Sequence, residues 1–320
     1  MIKLLQKLSD FYTENISHHL QTSPVVMNQD ELYQFFKKAH ASLSVYSSKT
    51  SIDKLHGEKI SPYSGHGLDY SESRIYTPGD DIRSVNWKQS ARTDQLITKL
   101  YHQENENIDY VFIDQRHPMF FGTLHQPKIA TAIKTAIIAA ISSLNSQKTI
   151  KIITIEDKIN ISEIIDSDEK ILAYFNKIAR KSESGSSYKQ PEISNVLKQI
   201  LSINPAGSSV ILISDFHDLD IYNSKYIKSL SINNNVTLYQ IQDHLEKSIP
   251  DIYPINYQSL YGDNSITLLS RAETNTFKSK ISSDNSKLSD ILMSLPAPVL
   301  QIENSITDTD ILNIQERQWI

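Results

Sequence analysis

Cysteine is absent from the 320-residue chain. Disulfides and thiolate metal sites are therefore excluded, while the redox compartment stays open. Long apolar runs are missing as well. The longest, Ile129–Ile141, is interrupted by Lys134 and falls short of the ~20 residues that a membrane-spanning helix needs. The opening segment MIKLLQKLSDFY lacks the continuous apolar core and cleavage signature of a secretory leader. A cytoplasmic protein without a transmembrane segment is expected. Nor is positive charge in excess: 32 Lys and Arg stand against 37 Asp and Glu, for a net charge of -5. That balance argues against a nucleic-acid binder, which would carry a basic patch.

Hydrophobic residues make up 39% and charged residues 22%, so a packed core is affordable and global disorder is excluded. The length suits about two domains. Residues 1–50 read as an N-terminal helical segment. Leu4, Leu5, Leu8, Phe11 and Tyr12 recur at helical spacing, as do Leu32, Phe35, Phe36 and Ala39. Asn28 or Asp30 is placed to cap the second helix. Contact of residues 1–20 with a membrane surface is the lesser reading of the first stripe.

Glycine is scarce, and four of the eight fall within residues 51–107, at Gly57, Gly65, Gly67 and Gly79. With Pro62, Pro78 and Trp87 they mark a small β-rich unit. Pro78-Gly79 fits the centre of a type II turn. Leu96–Glu104 is expected as a strand.

Beyond residue 107 strands and helices alternate. Strands are expected at Ile108–Asp114, Thr149–Ile155, Ser209–Ile213, Val236–Ile241, Ser265–Leu269 and Val299–Glu303. Helices are expected at Pro127–Leu144, Glu169–Ile178, Ile193–Ile203, Ser286–Leu295 and Thr309–Ile314. Ser182–Gln190 reads as a surface loop. Apolar strands without strict alternation, separated by helices, predict a doubly wound, mostly parallel α/β sheet over 108–320.

In such sheets ligands bind beyond the carboxyl ends of the strands. Two of those ends are polar here: Asp114-Gln115-Arg116-His117-Pro118 and Ser214-Asp215-Phe216-His217-Asp218. If their strands are neighbours, Asp114 and Asp215 face one crevice. Paired carboxylates suit a hard cation or acid–base work. Each can equally be a turn or helix cap. His117 and His217 read as loop residues rather than ligands. A second constellation, Arg74, Tyr76, Pro78, Gly79, Asp80, Asp81, Arg83, Trp87 and Arg92, alternates opposite charges around a tight turn. It reads as an internal salt-bridge network, or else as a partner-recognition surface.

These residues also carry a resemblance. Gly65-His66-Gly67-Leu68-Asp69-Tyr70, the run Arg74 to Arg83, Trp87, Ala91-Arg92, Lys99, Tyr101, Glu104, Asp114 and Met119-Phe120-Phe121-Gly122 together look like the bacterial family catalogued as domain of unknown function 58. ILISDF at Ile211–Phe216 is similar to that family too. The resemblance implies a von Willebrand A-like α/β domain, with the β-rich unit inserted ahead of its first strand. It also implies a MoxR-like AAA+ ATPase as partner, and a role in assembly or remodelling of client complexes. Such domains usually hold a divalent cation through aspartate–x–serine–x–serine at the first strand end. Asp114 is in place, but Arg116 and Pro118 stand at the two serine positions. A cation at 4 Å from the Arg116 guanidinium would be repelled by ~4 kcal/mol per unit charge at an effective dielectric near 20. The expectation is a degenerate adhesion site without Mg²⁺ or other cofactor, in which Arg116 pairs with Asp114 and with Asp215. A metal-dependent hydrolase using Asp114, Asp215, His217 and Asp218 is the alternative. No P-loop, nucleophile elbow or dinucleotide fingerprint accompanies it.

Overall fold

The computed structural model describes residues 26–53, 64–77, 82–93, 95–102, 108–122, 126–180, 191–203, 207–247, 255–258, 265–268, 270–304 and 307–316. In chain order its elements are α1 (Gln29–Asp53), β1 (Ser64–Ile75), α2 (Trp87–Thr93), β2 (Ile97–His102), β3 (Ile108–Asp114), α3 (Lys128–Asn145) and β4 (Thr149–Ile155). There follow β5 (Ile159–Ile161), α4 (Asp168–Ala179), α5 (Ile193–Ile203), β6 (Ser209–Ser214), α6 (Ser224–Asn233), β7 (Asn235–Gln242) and α7 (His244–Lys247). The chain closes with β8 (Ile255–Gln258), β9 (Ser265–Leu268), α8 (Arg271–Met293), β10 (Val299–Glu303) and α9 (Asp308–Glu316). Two compact units result: Ser48–Asn107, and the remainder of the chain.

The larger unit is a mixed α/β structure built on a mostly parallel sheet of strand order β10-β7-β6-β3-β4-β5. Only the short edge strand β5 runs antiparallel, against β4. Side chains alternate across β3. Val111 and Ile113 join Leu32 and Phe35 of α1, Ile133 and Ile137 of α3 and Phe175 of α4 in one core. Tyr110 and Phe112 join Val196 and Ile200 of α5, Ile227 and Leu230 of α6 and Leu292 of α8 in the other. Burial on both faces is why these strands are continuously apolar.

Helix α1 belongs to this unit up to Ser47. Val26 and Met27 N–H groups donate to Ala179 O, and Asn28 Oδ1 accepts from Glu31 N–H at 2.7 Å, so Asn28 is the cap. The stripe at residues 4–12 lies outside the described residues, as do Ser182–Gln190 and Pro78-Gly79. No helix among the described residues is long and apolar enough to cross a membrane.

Three expectations need correction. Ser265–Leu268 does not join the main sheet but pairs with Ile255–Gln258 in a separate antiparallel hairpin. Residues 224–233 form a helix, α6, that the apolar pattern did not announce. The expected helix Ser286–Leu295 begins far earlier, at Arg271, behind a capping box of Ser270 and Glu273.

In the smaller unit, β1 and β2 pair antiparallel with register shifts around Tyr70. Ser90 Oγ accepts from Ile97 N–H at 2.8 Å and ties α2 to β2.

Candidate functional site

The chain runs from β3 to β4 on one side and later returns to β6 on the other. The sheet therefore changes direction between β3 and β6, where a parallel α/β fold opens a crevice. Ile113 pairs with Ile213, so Asp114 falls beside Ser214. The alternation then separates the two expected partners. Asp114 continues the face of Tyr110 and Phe112, toward α5, whereas Asp215 continues the face of Ile211 and Ile213, toward α3. They do not face one another across the crevice, because adjacent strand ends at this register carry them to opposite faces.

Asp114 is fully buried and accepts from Ser214 Oγ at 2.7 Å and from Arg116 N–H at 3.0 Å. The Arg116 guanidinium forks onto it, with Nε at 3.0 Å from Oδ1 and Nη2 at 2.7 Å from Oδ2. Its other edge meets Asp218 at 2.5 and 2.9 Å, not Asp215 as expected. Asp218 reaches this position because it also accepts from Ile193 N–H, at the start of α5, at 2.9 Å. Burial opposes the charge on Arg116, but Asp114 and Asp218 outweigh it and hold the guanidinium pKa above its ordinary value. Asp218 is half-buried; burial resists its charge, but Arg116 draws its pKa down overall.

On the α3 side, Asp215 pairs with Lys128 Nζ at 2.8 Å, and Glu246 shares that ammonium at 2.5 Å. Lys128 is only 1% exposed at the first position of α3. Gln126 and Pro127, just before α3, pack so closely on Gly122 that a Cβ there would meet Gln126 O and lie 2.6 Å from Pro127 Cα. Lys128 N–H donates to Phe121 O at 2.9 Å. His217 Nδ1 lies 2.7 Å from Asp215 Oδ1. Between them Phe216, fully buried, takes a left-handed φ of 56°. That bend sends Asp215 to one face and Asp218 to the other, at a conformational cost that burying the ring offsets.

Four groups here titrate away from their ordinary values in ways that set a pH profile. Burial resists the charge on Asp215, but Lys128 and His217 pull its pKa far down. Asp218 is lowered too, so both contribute stability present above ~3.9 and lost as pH falls below it. Burial opposes protonation of His217, but Asp215 and Asp218 raise its pKa overall. Burial and Asp215 raise Glu246 despite Lys128. Groups with raised values contribute stability that is complete below their unfolded pKa and lost as pH rises through the folded one. Stability is thus expected to peak at mildly acidic pH. Urea midpoints across pH 5–9 should fall less steeply above pH ~6.5 for His217→Asn than for the unchanged chain. Parallel slopes would exclude His217 as the source.

Pro118 sits in the first turn of the short helix His117–Phe120 and offers no hydroxyl. Among the described residues no cluster of three His, Cys, Asp or Glu has the geometry to hold a metal ion. In the smaller unit Arg74 donates to Thr77 Oγ1 at 3.0 Å, Trp87 is 62% exposed, and Arg83 and Arg92 are exposed. Pro78, Gly79, Asp80 and Asp81 lie outside the described residues, and with them the acidic half of the expected network. Lys128 and Glu246 escaped sequence reasoning. One signal existed: a lysine opening an apolar helix opposes the helix dipole and needs carboxylates to hold it.

The molecule is thus an α/β protein whose switch-point crevice is closed by internal ion pairs. The family model described as protein of unknown function DUF58 matches residues 72–283, and the chain belongs to that family. Uncharacterized proteins of Mycobacterium bovis and Mycobacterium tuberculosis are 35% identical over 92 residues, covering 29% of this chain and only 28% of theirs. Among solved structures, BatB from Bacteroides thetaiotaomicron aligns with a TM-score of 0.38 at 12% identity, over 65% of this chain and 95% of its own. An aerotolerance-related membrane protein from Bacteroides fragilis aligns at 0.38 and 11% identity, over 65% and 96%.

Proposed function

We propose that the chain is a non-enzymatic protein-interaction module, a von Willebrand A-like adaptor that serves a MoxR-like AAA+ ATPase in assembling or remodelling client complexes, and that it works in the cytoplasm. The observation that carries this reading is the Arg116 guanidinium lodged between Asp114 and Asp218. The residues do not fit a divalent cation. The oxygens that would ligate it are engaged by a fixed positive charge, and Pro118 supplies no further oxygen. The same pairing argues against a hydrolase, since Asp114 and Asp215 are both held by cations and lie on opposite faces. The ATPase partner rests on the family resemblance.

Thermal unfolding with and without Mg²⁺ or Mn²⁺ tests the metal-free reading. The unchanged chain should not respond. Arg116→Ser/Pro118→Ser restores the serine pattern beside Asp114 and should gain metal-dependent stability, ~2.7 kcal/mol at a hundred times the dissociation constant. Stabilisation of the unchanged chain would make metal-dependent chemistry the leading case. For the partner, sedimentation velocity of the chain with a MoxR-like ATPase from the same genome, with and without ATP, should show a complex. Independent sedimentation would remove the ATPase from the proposal.

A further inference from the structure

The loop after β6 presents two strongly exposed apolar side chains, Ile221 at 70% and Tyr222 at 79%. It is tightly tied. Asp220 Oδ1 accepts from the N–H groups of Tyr222 at 2.8 Å and Asn223 at 2.7 Å. The buried Asn223 side chain accepts from Asp220 N–H at 2.8 Å and donates to Asp218 O at 3.0 Å. Asp218 is in turn clamped by Arg116. The backbone that carries the two side chains is therefore ordered before binding, which lowers the entropic cost of using them as anchors.

Charge next to this anchor has one sign left over. Tyr226 of α6 is half-buried, and two lysines converge on its ring: Lys198 of α5 with Nζ 5.4 Å from the centroid, and Lys225 with Nζ 5.2 Å. Neither lysine has an ion pair among the described residues. Ammonium groups placed by a ring rather than neutralised by a carboxylate are available to an incoming anion.

We propose that this face docks an acidic segment of a partner protein, with an apolar side chain against Tyr222 and Ile221 and carboxylates against Lys198 and Lys225. The inference rests on the interaction-module reading and gives it a surface and a partner chemistry. A nucleic acid is disfavoured as occupant. The two lysines at the Tyr226 ring suit one or two carboxylates but fall short of the basic stripe that a phosphate backbone needs.

The test selects phage-displayed random peptides on the immobilised full chain. Winners are then titrated as fluorescein-labelled peptides by anisotropy, with oligo-dT and oligo-rU as parallel probes. Enriched peptides should carry Asp or Glu beside a large apolar residue. Tyr222→Ala should weaken them about tenfold or more, and Tyr222→Phe should keep most of the affinity. Lys198→Glu/Lys225→Glu should weaken them most at low salt. Melting temperatures should stay put, because all four side chains are at the surface of the fold. Neutral or basic winners, no winners, affinity indifferent to these variants, or tighter binding of the oligonucleotides would each overturn the proposal. Co-sedimentation of the ATPase equally with unchanged chain and with Tyr222→Ala would reject this surface while leaving the adaptor reading intact.

Discussion

Arg116→Met is expected to destabilise the protein by ~3–5 kcal/mol, the cost of removing one partner from a buried ion pair. In a unit of this size that corresponds to a fall in melting temperature of roughly 6–20 °C. The effect is large because Asp114 has nowhere to send its charge. It is fully buried, and without the guanidinium it keeps only the Ser214 hydroxyl and the Arg116 N–H. Asp218 is partly exposed and can turn toward water, so most of the loss belongs to Asp114. Arg116→Lys should recover only part, since one ammonium cannot fork onto two carboxylates. Asp114→Asn/Arg116→Met should recover more than Arg116→Met alone, because it removes the stranded charge. Urea unfolding of the four proteins measures this directly. A loss under ~0.5 kcal/mol for Arg116→Met, the range of ordinary surface substitutions, would mean that the pair carries no stability.

What the sequence made legible follows burial. Ile108–Asp114, Thr149–Ile155, Ile193–Ile203 and Val299–Glu303 were expected with the boundaries they have. The three strands are rich in β-branched residues, and α5 carries a clean apolar stripe. Helix α6 was hidden because SKYIKSLSIN has low helix propensity and buries only Ile227 and Leu230 of its apolar side chains. A topological argument would have found it, since parallel strands β6 and β7 require a crossover between them. Helix α8 is polar on most sides, so only its last turns showed a pattern. Within the crevice, sequence reasoning named Asp114, Arg116, Ser214 and Asp215 and paired Arg116 with Asp114, as found, but gave Asp215 rather than Asp218 as the second partner. Parity along a strand decides that. It was readable in the alternation of Tyr110 and Phe112 against Val111 and Ile113, once β3 and β6 were known to be neighbours in register. Lys128 and Glu246 come from the start of α3 and from α7, far apart in sequence, so only the fold brings them to Asp215.

Lys128→Met should cost a similar ~3–5 kcal/mol near neutral pH, but with a different pH signature. Lys128 and Asp215 are both buried, and the lysine's pKa is held above its ordinary value because the two carboxylates outweigh the penalty of burial. Without the ammonium, Asp215 retains His217 as its one adjacent cation among the described residues, and Glu246 faces Asp215 uncompensated. Protonation of His217 and of Glu246 each relieves that charge. Both contributions are present at acidic pH and disappear as pH rises, so the deficit of the variant should widen from pH 5.5 to pH 8. The Arg116→Met deficit should change less over the same range, because His217 lies 4.0 Å from Asp218 but 2.7 Å from Asp215. Urea midpoints of both variants at the two pH values separate the cases. A Lys128→Met deficit that is equal at pH 5.5 and pH 8 would mean that His217 does not share the Asp215 charge. The crevice would then be two independent ion pairs rather than one network joined through the 214–218 strand end.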